Sequence, residues 1–337
     1  MAEKGVLPDF LIRFGIRKLS RVRLDKAKYA TKEQVAKWHQ DWVNNLKQSP
    51  IALVPEKANE QHYEVPSSFF EHCLGPNLKY SSGYWPDNVT SLEESEIAML
   101  ELSCKRAKIN DGNRILELGC GWGSLTCFMA KKYPKSKITA VSNSKDQREY
   151  ILNRCSNEKI DNVEVITADM NDFAIEGKYD NVISIEMFEH MRNYKELLSK
   201  ISKSLNENGS LFIHIFTHEF LTYPFLDEGD GDWMAREFFS GGMMPSHNLL
   251  LYFQDDLKIE HVWRLSGTHY EKTSLAWLNE MDKNKNSIIK IFRETYGEES
   301  AKMWFQRWRI FYLSCEQLFG YNGGTEWGVS HYRFVKK

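Results

Sequence analysis

The sequence predicts an α/β protein built on a doubly wound, mostly parallel sheet. Two observations lead to this fold class. Short apolar runs alternate with helical segments from residue 114 to residue 217, and the first run, Arg114 to Leu118, leads directly into a glycine-rich turn. Such alternation is typical of parallel sheets with helices on both faces, whose ligands bind beyond the carboxyl ends of the strands. Functional residues are therefore expected where the strands end.

The expected elements follow from apolar periodicity and from the breaks between periodic segments. Five strands are expected at 114–118, 137–142, 163–167, 180–185 and 209–217. The helices between them are expected at 123–132, 145–157 and 193–206. After an insertion, strands at 258–266 and 327–335 bring the sheet to seven, with the last strand antiparallel, and 274–319 is expected to be largely helical.

The first 50 residues are expected to form helices. Phe10, Leu11, Phe14 and Leu19 share one face, and basic residues lie on the other. A membrane-surface helix is one interpretation, but an ordinary solvated face is favoured. Residues 63–86 are expected to be an aromatic loop, and 91–107 a helix that begins at Ser91.

Bulk composition excludes several classes. The 44 Lys and Arg residues nearly balance the 46 Asp and Glu residues, which gives no argument for nucleic acid. No apolar run approaches the ~20 residues that a membrane span needs, and the first 25 residues lack the apolar core of a signal peptide. The six cysteines form no C-x-x-C pair and no zinc-like spacing with His. We therefore expect a cytoplasmic protein with reduced thiols and no metal.

The glycine turn after the first strand predicts a nucleotide-type ligand. Gly119, Gly121 and Gly123 follow the acidic strand residue Glu117, and a helix follows them. The dinucleotide pattern G-x-G-x-x-G fails because its third glycine position holds Ser124, and the lysine of a phosphate loop is missing. The turn is similar to motif I of class I S-adenosylmethionine-dependent methyltransferases, which have a Rossmann-like fold.

Polar residues at the ends of the next two strands suit the same ligand. Ser142, Asn143 and Gln147 lie where ribose hydroxyl groups are expected, about twenty residues past the first glycine. Asp169 suits an adenine amino group, with Met170 packed on the ring. A turn or helix cap is the alternative role for Asp169.

The fourth and fifth strands end at candidate catalytic residues. If Glu186 begins a helical turn, then Glu186, Glu189 and His190 share one face. Metal motifs do not fit this spacing, and a helix start with solvated carboxylates is the plain alternative. His214, near the end of the fifth strand, is equally well interpreted as a core or a site residue.

Methyl transfer to an amine would explain two carboxylates and a base. An alkyl amine has a pKa of roughly 10 and is a cation at neutral pH, so it must lose a proton before its nitrogen can attack a methyl group. Glu186 and Glu189 would attract and orient that cation. His190, with an ordinary pKa of about 6.5, could accept the proton.

Five motifs along nearly the whole chain resemble one methyltransferase family. They are Tyr80-Ser81-Ser82-Gly83-Tyr84-Trp85, Leu116 to Gly123, Ser184 to His190, Phe239 to Ser246, and Leu318 to Asn322. They are similar to the cyclopropane-fatty-acid-synthase-like branch of class I methyltransferases. Within that branch they most resemble the plant alkaloid and phenylalkylamine N-methyltransferases of the coclaurine N-methyltransferase type.

The resemblance implies a role for each matching position. The residues implied to bind S-adenosylmethionine are Tyr80, Ser81, Gly119, Gly121, Asn143, Gln147, Asp169, Met170 and Ile185. The implied catalytic residues are Glu186, Glu189 and His190, and the implied substrate residues are Trp308 and Phe311. Tyr84 and His214 are further substrate candidates. For Trp308 and Phe311, packing of an amphipathic helix on the core is an equal alternative. The product would be S-adenosylhomocysteine.

The resemblance also implies an organisation and leaves alternatives open. Residues 1–90 would form a helical cover, 91–217 the S-adenosylmethionine-binding core, and 218–337 a helical cap with the final strands. Ser82 stands where lipid cyclopropane synthases have a cysteine, and Glu186 is missing from them, which favours a small amine substrate. A lipid-methylating relative and a non-catalytic binding protein remain the alternatives, and a homodimer is a further expectation.

Overall fold

The structure, a computed structural model, describes residues 2–28, 30–53 and 65–337. These residues divide into two compact units. The helical unit lies within Met1–Val35, Val65–Ala98 and Ser266–Gly328, and the sheet unit lies within Ala36–Glu64, Met99–Leu265 and Val329–Lys337.

A seven-stranded sheet forms the centre of the sheet unit, in the order β3-β2-β1-β4-β5-β9-β8. Its strands are β1 Arg114–Leu118, β2 Lys137–Ser142, β3 Val163–Thr167, β4 Tyr179–Ile185, β5 Leu205–His218, β8 Leu257–Ser266 and β9 Trp327–Lys336. Strands β1 to β5 pair in parallel, and the last strand is antiparallel. The predicted fold class is confirmed. A separate two-stranded pair joins β6 Tyr223–Pro224 to β7 Met243–Met244.

Helices account for most of the remaining described residues. The α-helices are Asp9–Lys28, Lys32–Gln48, Ser67–Cys73, Leu92–Ala107, Ser124–Lys132, Lys145–Glu158, Tyr194–Ser204, Trp233–Glu237, Thr268–Lys283, Lys285–Tyr296 and Glu298–Phe319. Short 3-10 turns lie at Ala2–Lys4, Phe188–His190, Asp230–Asp232, Leu249–Tyr252 and Tyr321–Gly323. Within the described residues, no helix is both long enough and apolar enough to cross a bilayer.

The core of the sheet unit explains why its central strands are apolar. Four of the five residues of β1 are buried, and only Arg114 at its start is exposed. Apolar clusters cover both faces of the sheet, one built around Leu116 and Leu118 and another around Ile115 and Ile183. A parallel sheet that is covered on both faces has strands of this composition. The polar residues at the strand ends are thereby confined to one edge.

The helix Asp9–Lys28 packs in the helical unit through its basic residues. The guanidinium of Arg13 lies 2.9 Å from the carboxylate of Glu316, and Arg17 donates a 2.5 Å hydrogen bond to Gln317. The face predicted to be apolar is exposed instead, with Phe10 68% and Phe14 69% accessible. The helical prediction is confirmed, but this apolar face does not enter the core of the unit.

Several predicted boundaries are wrong, including the start of the fifth strand, which was expected at 209 but lies at Leu205. Within 63–86, expected to be a loop, the residues Ser67–Cys73 form a helix that begins after Pro66 and buries Phe69 and Phe70. The predicted helix 193–206 ends at Ser204, because Leu205 already belongs to β5. Residues 54–64, which hold the start of the expected loop, lie outside the described residues.

Candidate active site

The glycine turn after β1 adopts a backbone that favours glycine. Gly119, Gly121 and Gly123 have φ values of +80°, +52° and +77°, in the left-handed region. The backbone N–H groups of Gly119 and Cys120 donate to the carbonyl oxygen of Val141 at 3.0 Å, which ties the turn to the end of β2. The helix Ser124–Lys132 starts directly after the turn.

The three glycines lack a side chain for two different reasons. A Cβ on Gly119 would lie 2.8 Å from the Cβ of Met187, and a Cβ on Gly123 would lie 2.7 Å from Ile151. A Cβ on Gly121 would meet no described atom within 4 Å. Gly119 and Gly123 therefore serve close packing, whereas Gly121 faces open space where a ligand can approach the backbone.

Glu117, the acidic residue of β1, is buried. Its Oε2 accepts a 2.6 Å hydrogen bond from the hydroxyl of Thr126. Burial raises the pKa of the Glu117 carboxyl to about 8, and the hydrogen bond from Thr126 opposes this shift. A proton is thus held at the base of the glycine turn.

The end of β2 provides an unpaired donor at the predicted ribose position. The hydroxyl of Ser142 donates to Oε1 of Gln147 at 2.7 Å, and Gln147 is 2% exposed. The amide nitrogen of Gln147 has no hydrogen-bond partner among the described residues. Asn143, half-buried, lies beside it in sequence. A buried amide donor without a partner suits a ligand oxygen such as a ribose hydroxyl.

At the end of β3, Asp169 has the predicted turn role, and its adenine-binding role stays a prediction. Its Oδ1 accepts a 2.8 Å hydrogen bond from the N–H of Asn171, which is the predicted cap. Its Oδ2 makes no hydrogen bond with the described part of the chain, so it can accept from a ligand amino group. Met170 is buried directly beside it. The open approach at Gly121, the Gln147 amide and this oxygen together fit an adenosine.

Glu186 is positioned by the backbone of β5. Its N–H donates to the carbonyl oxygen of His214 at 2.8 Å, and its Oε1 lies 3.1 Å from Nε2 of the same histidine. Ile185 and His214 are register partners on the adjacent strands β4 and β5. The φ of Glu186 is +47°, a conformation that non-glycine residues rarely adopt and that is enriched at functional sites.

The predicted helical face of three residues is wrong. The 3-10 turn covers Phe188–His190 only, and the left-handed backbone of Glu186 interrupts any helix that would include it. The spacing of Glu186, Glu189 and His190 therefore does not place them on one face by helical periodicity. The first carboxylate is instead directed by its bond to His214.

Glu189 and His190 lie in different environments. Burial raises the pKa of Glu189 well above that of an exposed glutamate, and the charge of Glu186 raises it further. Its Oε2 has no hydrogen-bond partner among the described residues. The imidazole of His190 stacks on Phe239, with 4.6 Å between ring centroids. The pair of glutamates therefore favours one negative charge rather than the two that the sequence suggested.

Two residues of this site, His331 and Arg106, were not predicted from the sequence. Nδ1 of His214 lies 2.9 Å from Nε2 of His331, and Nδ1 of His331 lies 2.7 Å from Nη1 of Arg106. His214 and His331 are both completely buried. A signal was present, because β9 carries the polar run Ser330-His331 where a buried strand should be apolar. Nothing in the sequence, however, connects that run to His214.

In the helical unit, Lys79 lies beside the residues predicted for the methionine end of the cofactor. Lys79 is 3% exposed, and its Nζ donates to the hydroxyl of Ser81 at 2.5 Å and to the carbonyl oxygen of Ser82 at 2.8 Å. The ring of Tyr80 packs on Phe70, with 5.0 Å between centroids. The motif is therefore held from its backbone as well as by its side chains.

Glu96 organises the segment that leads into this motif. It is 1% exposed, and its two oxygens accept hydrogen bonds from the backbone N–H groups of Gly75, Asn77 and Lys79 at 3.0–3.4 Å. Burial raises the pKa of Glu96, and these bonds oppose the shift. Glu96 was not predicted from the sequence, because there it is one of several acidic positions on an ordinary helix.

The predicted aromatic substrate residues lie in a packed cluster of the helical unit. Trp308 is 0% exposed and contacts Phe69, Phe70 and Tyr80, with centroid distances of 4.7–6.4 Å. Phe311 lies 5.5 Å from Trp308. Packing on the core is thus an established role of Trp308. Tyr84 lies elsewhere in the unit, with its ring 4.8 Å from that of His269.

The sheet and its glycine turn define the class of protein. A seven-stranded sheet of this order, with one antiparallel strand and a glycine turn after β1, is the class I methyltransferase fold. The chain belongs to the mycolic acid cyclopropane synthetase family, which it matches over residues 54–323.

Relatives in this family cover the chain almost completely. It is 39% identical to the (S)-coclaurine N-methyltransferase of Thalictrum flavum subsp. glaucum, over 99% of this chain and 94% of the relative. It is 35% identical to the pavine N-methyltransferase of the same plant, over 99% and 95%. A crystal structure of coclaurine N-methyltransferase bound to N-methylheliamine and S-adenosylhomocysteine superposes with a TM-score of 0.96 at 39% identity, over 99% of this chain and 97% of that one.

Proposed function

We propose that this protein is an S-adenosylmethionine-dependent N-methyltransferase of aromatic alkyl amines, either tetrahydroisoquinolines or open phenylalkylamines. The observation that carries the proposal is the Glu186 carboxylate, held at the end of β4 by a buried histidine. Support also comes from relatives named as coclaurine and pavine N-methyltransferases and from the solved neighbour that binds N-methylheliamine.

The residues at the strand ends would hold the cofactor. S-adenosylmethionine supplies an electrophilic methyl group on a sulfonium centre. In the sheet unit, the residues proposed to bind it are Gly119, Gly121, Asn143, Gln147, Asp169, Met170 and Ile185. In the helical unit, Tyr80 and Ser81 are proposed for its methionine end. The open approach at Gly121 and the unpaired amide of Gln147 support these assignments.

Glu186 is proposed to bind the ammonium form of the substrate. An ionised carboxylate can accept several hydrogen bonds, so the contact of Glu186 with His214 is compatible with an additional N–H donor from the substrate. Because the free amine has a pKa of roughly 10, a nearby base must take its proton before the nitrogen lone pair is available. His190 is the proposed proton acceptor, because burial and the charge of Glu186 favour the protonated form of Glu189. Glu189 is proposed to help orient the amine, and orientation of the nitrogen supplies much of the remaining rate. Substrate roles for Tyr84, His214, Trp308 and Phe311 stay predictions.

An assay with a panel of substrates tests the proposal. The purified protein is incubated with S-adenosylmethionine and either benzyl-type tetrahydroisoquinolines, phenylalkylamines or phospholipid vesicles, and products are identified by mass spectrometry. N-methyl amines are expected. Activity on the vesicles alone would instead select a lipid-modifying enzyme. Binding of the cofactor by calorimetry without transfer to any amine would select a non-catalytic protein.

A double variant tests the site. With Glu189→Ala and His190→Ala combined, we expect kcat to fall by at least about a hundredfold if these groups handle the proton. Turnover that stays within about threefold of the unmodified protein would overturn the assignment.

Two finer features belong to the same proposal. We propose a cytoplasmic location, supported by six cysteines that are all free thiols. Oxidation of those thiols in the protein isolated from its native source would contradict it. A homodimer is also proposed, and light scattering of the purified protein would reveal a monomer instead if this is wrong.

A further inference from the structure

Four side chains of the sheet unit form one continuous hydrogen-bonded chain. Oε1 of Glu186 lies 3.1 Å from Nε2 of His214, Nδ1 of His214 lies 2.9 Å from Nε2 of His331, and Nδ1 of His331 lies 2.7 Å from Nη1 of Arg106. They come from the end of β4, from β5, from β9 and from the helix Leu92–Ala107. Both histidines are completely buried, so the two central imidazoles are shielded from water.

The guanidinium at one end fixes the direction of every bond. Arginine has only donors and stays protonated in proteins, so Nη1 of Arg106 must donate to Nδ1 of His331. A neutral imidazole that accepts at Nδ1 carries its hydrogen on Nε2, so His331 donates to Nδ1 of His214. By the same rule His214 carries its hydrogen on Nε2 and donates to Glu186. The chain therefore ends on a carboxylate as acceptor.

We propose that Arg106 and His331 are positioning residues that lock His214 as a hydrogen-bond donor and thereby hold Glu186 as an oriented acceptor for the substrate amine. The statement about Glu186 rests on the proposed function, whereas the locked tautomers are a property of the protein alone. Neither Arg106 nor His331 needs to touch the substrate for this role.

The same geometry means that the hydrogen-bonded chain orients Glu186 but does not conduct protons. If His214 took a second proton, its Nδ1–H would point at Nε2 of His331, which would have to become an acceptor. The hydrogen of His331 would then face a donor of Arg106, an arrangement without an acceptor. A proton released by the substrate therefore leaves through other groups, of which Glu189 also acts electrostatically on Glu186.

Arg106 is itself held in place by several neighbours. Its guanidinium carbon lies 4.9 Å from the ring centroid of Trp263, in a cation–π contact. Its carbonyl oxygen accepts a 3.1 Å hydrogen bond from Arg333, which also donates to Glu260 at 2.6 Å. An anchored guanidinium provides a donor of fixed position, as the locked chain requires.

Nuclear magnetic resonance of the cofactor-free protein tests the chain without any assay. Protein labelled with ¹⁵N-histidine reports which ring nitrogen of each histidine carries a hydrogen, and the His331→Phe and His214→Phe variants assign the signals. We expect the neutral Nε2–H form for both residues from about pH 6 to about pH 8. The Nδ1–H form or an imidazolium at His214 in this range would overturn the proposal.

Kinetics test the positioning role. In His331→Phe, His214 loses its fixed orientation, so the carboxylate of Glu186 is held less precisely and loses an aligned donor that stabilises its charged form. We expect kcat for the amine to fall about tenfold and the acidic limb of kcat/KM to move up by about one pH unit, with cofactor KM within about twofold. The matched control is His247→Phe, which removes a histidine that bonds Ser330 outside the chain.

The possible outcomes distinguish a failure of the hydrogen-bonded chain from a failure of the proposed function. A His331→Phe variant with an unmoved pH profile would show a merely structural histidine and would overturn the positioning role. If the tautomers are locked but the protein methylates no amine, the proposed function is refuted, whereas the hydrogen-bonded chain is confirmed. A shift of equal size in His247→Phe would contradict the inference, because that histidine lies outside the chain.

Discussion

The carboxylate of Glu186 lies 3.1 Å from Nε2 of His214, although 28 positions separate the two residues in sequence. Adjacent parallel strands create this contact, because the register pairs Ile185 with His214 and so brings Glu186 to the carbonyl group of that histidine. The histidine lies in the core, and the carboxylate lies at the edge of the sheet. The contact thus links the buried interior of the sheet unit to the place where a ligand is expected.

Glu117 should make the stability of the cofactor-free protein depend on pH. Its pKa is about 8 in the folded state and near 4.5 when exposed, so the folded state holds the proton more tightly. Its stabilising contribution is complete below pH 4.5 and is lost as the pH rises through about 8, with a slope of up to about 1.4 kcal/mol per pH unit. Glu117→Gln should flatten the curve of unfolding free energy in that window. Glu164→Gln, at an exposed position of β3, should leave the slope unchanged, and equal slopes in both variants would refute the prediction.

Gly119 should tolerate alanine less well than another glycine with similar backbone. In Gly119→Ala the new Cβ meets Met187 at 2.8 Å, and the left-handed φ is strained as well. We expect a loss of about 2–4 kcal/mol in unfolding free energy. The matched control is Gly112→Ala, with φ +96° and no described atom within 4 Å of the added Cβ, where about 1 kcal/mol is expected. Denaturant titration would contradict the packing argument if the two losses were the same.

Glu96 should be important for the stability of the helical unit. Glu96→Ala leaves the N–H groups of Gly75, Asn77 and Lys79 without their acceptor, which should lower the unfolding free energy by about 2–4 kcal/mol. Glu93→Ala, on the same helix and exposed, should change it by no more than about 0.5 kcal/mol. Thermal unfolding followed by circular dichroism measures both. A loss for Glu96→Ala as small as that of the control would show that the bonds do not hold the segment.

Trp308 should contribute mainly to packing. Trp308→Leu removes the ring from the centre of the aromatic cluster, and we expect a loss of about 3 kcal/mol. Trp304→Leu is the control, since Trp304 is half-buried and stacks on Tyr296 at 4.6 Å; about 1 kcal/mol is expected there. Equal losses would mean that the cluster does not depend on Trp308. In the same preparations, an amine KM that rises more than tenfold for Trp308→Leu would assign it a direct substrate role.

The sheet was predictable because local signals and the fold agree. The apolar runs of β1 and β4 are largely buried, and a glycine turn directly after a strand is typical of a chain that turns sharply at that point. Strand boundaries at 114–118, 137–142 and 163–167 therefore match the structure. Most of the candidate cofactor residues could be proposed from the sequence, since they follow the ends of these strands, and their roles stay predictions.

Contacts between distant strands were not predictable. His331 bonds His214 across two strands that are 117 positions apart in sequence, and no periodicity indicates which polar residues of a buried sheet will meet. The left-handed conformation of Glu186 was equally hidden, because it depends on the carbonyl group of His214 and not on local preference. The packing of the helix Asp9–Lys28 was not predictable either. Its Arg13 and Arg17 bond residues of the helix Glu298–Phe319, whereas its apolar face is exposed.

Methyl transfer by the Glu186→Gln variant is the most direct test of whether the charge of Glu186 binds the ammonium form of the substrate. Glutamine keeps the shape of the side chain but removes the charge that would bind an ammonium ion. We predict that kcat/KM for a phenylalkylamine or tetrahydroisoquinoline falls about a hundredfold, a loss of about 2.7 kcal/mol, while affinity for S-adenosylhomocysteine changes by less than about twofold. Glu207→Gln, at a side chain that is 92% exposed, should be unaffected. Turnover by Glu186→Gln within about threefold of the unmodified protein would show that the charge of Glu186 does not bind the substrate.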